Sequence, residues 1–447
     1  MTTLTETSAQ REQLVRGLNL FDATLIVVGT TIGSGIFLVP SEIAREVHTS
    51  GLMLLVWIVG GLLSFLGALT YAELSAAYPH AGGLYVYLRE AFGRPIGFLY
   101  GWTLFLVIHT GSIATLAKAV PFYLGYLAPL SPLMATLIPI AFVILFTIVN
   151  CLGLRLGATV QNFFAIIKVT TILALLGSIF LKGKGSFQSL DNPWPQSFSI
   201  DLLSGFGVGM IAALWAYEGW HLVTFTGGEI KDPNKNLPCS LALGTAIIIA
   251  IYLTANIAYL YSLSVEEISR TQRVAATAME VTWGPIGGTL ISVAILISIL
   301  GATNGTVLTG PRVFFAMARD GLFFKRIATI HPRFKTPAFS IIVQGLWAAG
   351  LTLIGSFSQL FTYVLFAGWI FYGLTAAAVI VLRHKRPDLP RPYKVSGYPL
   401  TPIVFVAISF LLVINTLIKD PRDSLLGLAF IALGIPVYLY WNSRQRA

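Results

Sequence analysis

Three glycines interrupt the first long apolar segment of the chain, where a continuous helix would otherwise be expected. They are Gly29, Gly33 and Gly35 in the stretch GTTIGSGIF, and each costs about 1 kcal/mol relative to alanine inside a helix. A helix interrupted in mid-membrane frees main-chain N–H and C=O groups that need a polar partner. Free N–H groups at the start of a half-helix suit a carboxylate, and Ser34 adds a hydroxyl. The stretch therefore predicts a site that a ligand carboxylate completes.

A second interruption lies in the stretch AALWAYEGWHLVTFTGG, from Ala212 to Gly228. Aromatic residues, a glycine and Glu218 occupy the centre of this apolar segment. Free carbonyls at the end of a half-helix suit an ammonium group. Together the two breaks predict a site for a zwitterion, and we expect Trp215 to act as a gate over it. Tyr217 and Trp220 are more typical of packing or interface anchors.

The spacing of Gly29 and Gly33 has a second interpretation, because a small-xxx-small pattern lets two membrane helices pack closely. This packing interpretation competes with the binding interpretation at the first break. Glycine-interrupted segments at matching positions in two halves of a chain indicate a transporter site at the membrane midplane. The second break therefore favours binding.

Two isolated ionisable groups, Lys168 and Glu218, lie within apolar segments. A lysine at such depth costs about 2.5–3.5 kcal/mol on insertion scales. Lys168 therefore either takes the place of a bound metal cation and holds span 1 against span 8, or reaches toward the cytoplasmic interface. Glu218 either attracts a substrate ammonium, accepts a proton or favours cationic side chains, or it is a protonated acid that lines a wet cavity. His109 and His221 are more typical of buried structural histidines.

The whole composition indicates a polytopic membrane protein. Of its 447 residues, 55% are hydrophobic and only 11% are charged, and the mean hydropathy is +0.78. A membrane-spanning helix needs about 20 apolar residues and a barrel strand about 9–11. Twelve apolar runs have helical length without strand-like alternation, so the fold class is all-α with twelve transmembrane helices. Their centres lie near Val27, Leu62, Leu106, Phe142, Leu173, Gly209, Ile249, Leu296, Trp347, Trp369, Phe410 and Leu433.

The two breaks fall in spans 1 and 6, and an odd number of crossings between equivalent points reverses their direction in the membrane. Spans 1–5 and 6–10 are therefore predicted to be inverted copies of one unit. We predict an N-terminal segment at 1–17 and one transporter domain at 18–442, with repeats at 18–182 and 200–386 and helices 11 and 12 at 399–442. Most of the 29 Lys and Arg residues are predicted to lie on the side of the membrane that holds the N-terminus. Because this side is normally the cytoplasm, both termini are predicted to be cytoplasmic. The net charge of +10 is thus a topology signal and not a nucleic-acid footprint.

Several motifs, in order, resemble the amino acid/polyamine/organocation superfamily, and most closely its L-type amino acid transporter branch. The resemblance covers about residues 15–395. The motifs are GTTIGSGIF in span 1, YAELSAAYPHAGGLYVYLREAFGRPIGFLYGWT across spans 2 and 3, QNFFAIIK in span 5, LWAYEGW and GGEIKDPNKNLP in span 6 and its exit, GATNGTVLTGPRVFFAMARDG in span 8, and LRHKRPDLPRPYKV after span 10.

That resemblance implies a LeuT-type fold, which is a five-plus-five inverted repeat with discontinuous helices 1 and 6, here followed by two C-terminal helices. It also implies Na+-independent transport of amino acids, without a cofactor. Lys168 matches the lysine that occupies a sodium position in sodium-coupled relatives. The substrate-binding residues that the resemblance implies are Thr30, Thr31, Gly33, Ser34, Gly35, Trp215, Ala216, Glu218, Gly219, Asn304 and Trp369.

The resemblance divides these residues by role. Thr30 and the Gly-Ser-Gly stretch are implied to meet the substrate carboxylate. The carbonyls of Thr31 and Trp215, with the neighbourhood of Glu218, are implied to meet the ammonium. Glu218 stands where several neutral-substrate members have a small residue, and acidic residues occur there in members that accept cationic amino acids. The substrate class is therefore open.

Animal members of this branch bond covalently to a glycoprotein partner through a cysteine between spans 3 and 4. Residues 119–132 of this chain contain none. The resemblance therefore implies a prokaryote-like protein of the cell (inner) membrane that works without a disulfide-linked heavy chain. Its expected partners are the amino acid substrate and membrane lipid.

The sequence thus predicts a Na+-independent secondary transporter of neutral L-amino acids that works by alternating access, as an exchanger or a facilitator. One alternative is a proton-coupled symporter in which Lys168 or Glu218 titrates and cationic amino acids are accepted. Another is an amino-acid-sensing receptor without flux. An enzyme is not predicted, because the spans contain no His/Asp/Glu metal cluster or nucleophile–base pair.

Overall fold

A computed structural model defines the fold over most of the chain. Within the ranges it describes, the chain is helical, and two isolated bridges, Leu18 with Ile230 and Ala81 with Thr226, are the only extended pairs. The predicted N-terminal segment lies largely outside the described residues. These are 14–182, 185–191, 193–197, 199–354 and 357–446.

The α-helices vary in length from 6 residues in a connecting segment to 30 residues in a membrane span. A π-helical turn at Leu104–Ile108 joins the helices Arg94–Thr103 and His109–Leu127, and a 3-10 helix at Trp220–Phe225 follows the helix Ile200–Ala216. In chain order the α-helices are α1 (Leu20–Thr31), α2 (Gly35–Val47), α3 (Ser50–Ala77), α4 (Leu84–Phe92), α5 (Arg94–Thr103), α6 (His109–Leu127), α7 (Pro132–Cys151), α8 (Leu154–Lys182), α9 (Ile200–Ala216), α10 (Pro233–Ser262), α11 (Val265–Arg270), α12 (Val274–Trp283), α13 (Pro285–Thr309), α14 (Pro311–Arg319), α15 (Ala338–Leu353), α16 (Phe357–Lys385), α17 (Leu400–Lys419) and α18 (Pro421–Arg446).

Each of the twelve predicted spans coincides with an apolar helix or helix pair of the structure, although not all of these helices are long enough to cross a membrane. In the described part of the chain, nine segments are long and apolar enough to cross a membrane, with α5–α6 and α13–α14 each counted as one. The bent pair α1–α2 makes a tenth, and α9 and α15 are shorter apolar helices of 17 and 16 residues. The all-α, multi-span fold class is therefore confirmed, whereas the boundaries of the two repeats stay a prediction.

The first span starts and breaks where its sequence changes character. Asn19 and Asp22 form a capping box, in which each side chain accepts a hydrogen bond from the other residue's main-chain N–H at 3.0 and 2.9 Å. Asp22 also accepts a hydrogen bond from Asn162 of α8, which fixes the direction of α1. The helix stops at Thr31 and resumes at Gly35 with a bend of 44°.

The sixth span is broken more severely than the sequence suggests. Its first half, α9, ends at Ala216, and its second half is the 3-10 helix Trp220–Phe225 rather than a second α-helix. Gly219 lies between them with φ +120°, a left-handed conformation that side chains other than glycine rarely adopt. The chain then reaches α10 through a short turn at Gly227–Glu229.

The long helices surround the two broken spans. α10 packs along α3 and α1, α9 packs against α2, and α13 packs against both α8 and α6. One large apolar core joins these helices, and a smaller cluster that includes Ile113, Val143 and Ile341 fills the space between α6, α7 and α15. The breaks therefore lie inside the bundle, where lipid does not reach their free backbone groups.

Candidate functional site

The breaks in spans 1 and 6 touch each other at the centre of the bundle. The Thr30 hydroxyl donates a hydrogen bond to the Gly219 carbonyl at 3.1 Å. A Cβ atom at Gly219 would lie 2.9 Å from the Thr30 carbonyl oxygen, and one at Gly35 would lie 2.7 Å from Ala216 Cα. Two breaks that the sequence separates by nearly two hundred positions thus form one junction.

A cavity of about 60 Å³ lies at this junction. Nine of the eleven residues predicted to bind substrate line it, and they are Thr30, Thr31, Gly33, Ser34, Gly35, Trp215, Ala216, Glu218 and Gly219. The structure thus brings both predicted halves of the zwitterion site to one small space.

The other two predicted residues lie elsewhere. Asn304 is fully buried and donates hydrogen bonds to Gly157 and Gln161, while its carbonyl oxygen accepts one from Asn150. Trp369 packs against Tyr372 with ring centroids 5.8 Å apart. Neither belongs to the residues that line the cavity, because the polar partners of Asn304 are on α7 and α8 and Trp369 is turned toward α17.

Several cavity residues were not predicted from the sequence. Most come from the wall formed by the π-helical turn and α6: Leu104, Ile108, Ser112, Thr115 and Leu116. Thr306, Val364 and Tyr372 complete the lining from α13 and α16, with Leu222 from the 3-10 helix. His109 and His221, interpreted above as structural histidines, also line the cavity. A π-helical turn often marks a functional site, but the apolar sequence LFLVI gives no signal for it.

Four buried polar side-chain atoms without hydrogen-bond partners belong to residues that line the cavity, while others are spread through the rest of the described chain. The side-chain atoms Thr31 Oγ1, Ser34 Oγ, Thr115 Oγ1 and His221 Nε2 are buried and have no hydrogen-bond partner. In the described chain, no acceptor is found for the main-chain N–H groups of Ser34 and Gly35 at the start of α2. Buried polar groups are nearly always paired in folded proteins. A ligand with both donors and acceptors would pair these groups.

Side chains of the protein already bind most of the carbonyls that the breaks release. The Tyr252 hydroxyl, on α10, lies 2.8 Å from the Ala216 carbonyl and 3.2 Å from that of Thr31. The Trp215 carbonyl accepts a hydrogen bond from the Glu218 N–H. Because a carbonyl oxygen has two lone pairs, the predicted ammonium contacts at Thr31 and Trp215 stay open to a second donor.

Lys168 ties the first break to α13. Its Nζ donates hydrogen bonds to the carbonyls of Gly29, Ile32 and Ser298 at 2.9, 2.5 and 2.9 Å, and the side chain is fully buried. The Ser298 hydroxyl lies 2.9 Å from the same Ile32 carbonyl. The lysine therefore has internal partners and does not reach toward the interface, whereas its role in place of a metal cation stays a prediction.

The Glu218 carboxylate lies on the side of the cavity nearest α16. Its Oε1 accepts a hydrogen bond from the Tyr372 hydroxyl at 2.6 Å, and His221 Nδ1 is 3.8 Å away. The Tyr71 hydroxyl, on α3, in turn donates to the Tyr372 carbonyl at 2.9 Å. The carboxylate is thus held in place by a neutral donor and not by a cation.

Two glycines of the first break do different things, although their spacing fits one packing motif. Gly29 faces α8, where a Cβ atom would lie 2.2 Å from Gln161 Nε2 and 3.2 Å from Ala165 Cβ. Gly33 lines the cavity, and a Cβ atom there would meet only Leu116 Cδ2 at 3.3 Å and Ala302 Cβ at 3.7 Å. Helix packing thus explains Gly29, whereas the cavity explains Gly33.

A second cavity of about 770 Å³ lies between the site and the face opposite the N-terminus. Its walls come from α2, α6, α9, α16 and α17, and its rim carries Glu42, Lys118 and Lys419. Trp215 lines both cavities. The indole therefore lies where a gate between the site and this vestibule would be needed.

The N-terminal face is closed by contrast. A buried ion pair joins Arg312 to both oxygens of Glu229, at 2.7 and 2.9 Å, and the Glu229 carbonyl accepts the N–H groups of Gly17 and Leu18. Nearby, Asp320 accepts hydrogen bonds from Arg89 and from the Tyr85 hydroxyl. Burial and the Asp320 charge raise the pKa of the Tyr85 phenol, so it stays a neutral donor. The site is thus separated from this face by several layers of contacts.

The sequence profile of the amino acid permease family matches residues 18–438. The chain belongs to this family. This permease is 35% identical to the serine/threonine exchanger SteT of Bacillus subtilis over 435 residues, which cover 97% of the chain and 98% of SteT. It is 33% identical to the large neutral amino acids transporter small subunit 2 of Mus musculus over 455 residues, 97% of the chain and 83% of that protein. It is 32% identical to the b(0,+)-type amino acid transporter 1 of Homo sapiens over 441 residues, 97% and 88% of the two chains.

These comparisons confirm the family resemblance of the sequence and the assignment of the permease as an amino acid transporter rather than an enzyme. The match extends over both broken spans and all of the helices that position them. The chain is therefore a multi-span membrane transporter with its candidate site at the junction of the two breaks.

Proposed function

We propose that this permease is a Na+-independent exchanger or facilitator of neutral L-amino acids that works by alternating access. The observation that carries the proposal is the small cavity between the two breaks, lined by unpaired donors on one side and by carbonyls and a carboxylate on the other. An α-amino acid has the same two poles. The names of the relatives, an exchanger and a transporter of large neutral amino acids, support the same function.

The substrate carboxylate binds at the start of α2 in this proposal. The N–H groups of Ser34 and Gly35 point out of the helix end, the Ser34 hydroxyl is unpaired, and the helix dipole favours a negative charge there. The α-ammonium binds near the Thr31 and Trp215 carbonyls and Glu218. Thr30, Gly33, Ala216 and Gly219 shape the space between. The list of proposed contacts leaves out Asn304 and Trp369, which lie outside the cavity lining.

The position of Lys168 supports the proposed independence from Na+. Sodium would need several oxygen ligands, and three carbonyls at the first break are already bound by the ammonium of Lys168. A fixed positive charge there also repels a second cation. We therefore propose that the lysine supplies permanently what a bound sodium ion would supply transiently.

The setting of the transporter is part of the proposal. We place it in the cell (inner) membrane with the N-terminal face in the cytoplasm, as the distribution of Lys and Arg predicts. The stretch 119–132 has no cysteine for a disulfide to a heavy chain, so the chain is expected to work alone.

Reconstitution into liposomes tests the function directly. We expect labelled neutral amino acid to enter only when unlabelled amino acid is inside, or to equilibrate without it, at equal rates in Na+ and choline buffers. Uphill uptake driven by a pH gradient, without internal amino acid, would identify a proton symporter instead. Substrate binding without flux in either assay would identify a receptor.

Glu218 favours a second candidate, the transport of cationic amino acids. Its carboxylate lines the cavity. Among the described residues, its contacts are the Tyr372 hydroxyl and His221, whose Nδ1 is 3.8 Å away, and neither is a lysine or an arginine. Glu218→Gln keeps the shape and the Tyr372 contact but removes the charge. If arginine or ornithine enters the wild-type protein and is lost in this variant while alanine transport persists, the carboxylate selects cationic side chains. Cationic transport that survives the change removes this role from Glu218.

A further inference from the structure

The substrate side chain must face the continuous helices if the two breaks hold the charged groups of the amino acid, an inference that rests on the proposed function. With the carboxylate at α2 and the ammonium between the breaks, the remaining walls of the cavity come from α6, α13 and α16. The α6 wall is the largest of these. Its residue types should therefore match the chemistry of the transported side chain.

Thr115 is the exception among the serine and threonine hydroxyls of this helix. The Tyr123 hydroxyl of the same helix is also buried without a partner, but Tyr123 is not among the residues that line this cavity. Thr110 donates to the Phe105 carbonyl and Ser112 to the Ile108 carbonyl, each at 2.7 Å, as buried hydroxyls in helices commonly do. Thr115 has the carbonyl of Gly111 one turn before it, yet its Oγ1 makes no hydrogen bond and is buried. Since Thr115 lines the cavity, a molecule in the cavity is the partner that its hydroxyl lacks.

The rest of this wall restricts what that partner can be. Leu116 and Val364 line the same cavity with apolar side chains. The Ser112 hydroxyl, whose hydrogen is used within the helix, can still accept a hydrogen bond. A cavity of about 60 Å³ holds only a few water molecules, since one water needs about 10–15 Å³ by the same measure. A short side chain that carries a hydroxyl fits both conditions, because it can donate and accept and its carbon atoms can contact the methyl groups.

We propose that the Thr115 hydroxyl is a specificity-determining contact that hydrogen-bonds the side-chain hydroxyl of small substrates, so that serine and threonine are selected over alanine and valine. Threonine and valine have the same shape and differ only in the hydroxyl. A site built to bind a substrate hydroxyl discriminates strongly against the analogue that lacks it, because its own polar group is then left unpaired.

The experiment compares threonine with valine, and serine with alanine, in reconstituted Thr115→Val and Thr115→Ser variants. We expect the wild-type protein to prefer threonine over valine by about tenfold or more in competition for counterflow. Thr115→Val should reduce that preference to about one by weakening threonine while sparing valine. Thr115→Ser, which keeps the hydroxyl, should retain the preference.

Thr110→Val is the matched control, because Thr110 lies on the same helix, is fully buried and bonds within the helix. Its ratio of threonine to valine should equal that of the wild type. Equal affinity of the wild-type protein for threonine and valine would overturn the proposal, and so would a preference that Thr115→Val leaves intact. Either result is compatible with amino acid exchange, so the proposed function would stand.

Binding can be measured apart from flux by the shift in unfolding temperature that each amino acid produces in detergent. This second measurement tests the discrimination between threonine and valine even if a variant does not transport. Threonine should stabilise wild-type protein and Thr115→Ser at concentrations where valine does not, and Thr115→Val should respond to the two alike. If no amino acid exchanges and none shifts the unfolding temperature, both the specificity contact and the proposed function are wrong.

Discussion

At the scale of single residues, the most informative group is the ammonium of Lys168. Its three hydrogen bonds join the end of the first half-helix of span 1 to the neighbouring helix α13, yet the residue does not line the cavity. A group in this position acts on the relative placement of the helices and not on the substrate. A buried lysine with internal partners could be expected from the sequence, since an unpaired ammonium at that depth is costly. It could not name Ser298, which lies on a distant part of the chain.

We expect Lys168→Ala to slow transport more than it weakens binding. Three carbonyls lose their donor, so the first break is no longer held against α13, while every cavity contact remains. Counterflow should fall by about tenfold, which corresponds to about 1.4 kcal/mol, with a much smaller change in substrate affinity. Lys182→Ala is a suitable control, because Lys182 lies at the exposed end of the same helix over the ring of Trp283. Equal losses in rate and affinity would place Lys168 in the binding site instead.

At the scale of elements, the two breaks show which parts of the site a sequence can predict. Glycine and polar residues inside apolar segments are local features, and they located both breaks. The family resemblance then implied nine of the residues that line the cavity. The cavity residues of the unbroken helix α6 were not predicted, because residue types such as Thr115 and Leu116 are common in membrane helices and give no signal of a site. Tyr252 was missed because its two partners, Thr31 and Ala216, are close to it only after folding. The all-α fold followed from apolar run lengths, which do not depend on such distant contacts.

The close contact of the two breaks depends on Gly35 more than on Gly33. A methyl group at Gly35 would lie 2.7 Å from Ala216 Cα, and backbone cannot move aside as a side chain can. A methyl group at Gly33 meets only the end of Leu116 at 3.3 Å. Gly35→Ala should therefore lower both the unfolding temperature and the counterflow rate, and Gly33→Ala should lower them much less. The ranking is checked by thermal unfolding in detergent, and a larger loss for Gly33→Ala would mean that the helix ends are not packed as described.

The Tyr252 hydroxyl bridges the carbonyls of both breaks, so Tyr252→Phe tests whether they work as one unit. The hydroxyl has one hydrogen, which the Ala216 and Thr31 carbonyls share, so the change removes a single donor at a cost of about 1–3 kcal/mol. We expect roughly tenfold slower transport. Tyr259→Phe is the matched control on the same helix, because the Tyr259 hydroxyl is buried without a partner. Its transport should be close to that of the wild type. Identical rates for the two variants would show that the bridge is dispensable.

At the scale of the whole molecule, the protein is closed on its N-terminal face and hollow toward the opposite face. The vestibule of about 770 Å³ reaches Trp215, and layers of ion pairs and main-chain hydrogen bonds lie between the site and the other side. Alternating access requires that this closed face open in turn. The ion pairs and hydrogen bonds at this face should therefore be strong enough to stabilise the closed conformation. They should also be few enough to break together when the face opens.

The buried pair of Arg312 and Glu229 is the contact whose removal should most change this balance. The two side chains are 1% and 0% exposed, and removing one partner of such a pair costs about 3–5 kcal/mol because the other charge is left uncompensated. Arg312→Met should therefore reduce both counterflow and the unfolding temperature sharply. Combining it with Glu229→Gln removes the stranded charge and should recover part of the loss.

An exposed ion pair on the other face supplies the control for this last experiment. Arg270 and Glu266 are 76% and 71% exposed, and a pair of that kind contributes little to stability. Arg270→Met should therefore leave transport and unfolding unchanged. If the double variant of Arg312 and Glu229 instead loses as much as its two single variants combined, the two charges act independently. The closure of the N-terminal face would then rest on the hydrogen bonds of Gly17 and Leu18 to the Glu229 carbonyl, which neither substitution removes.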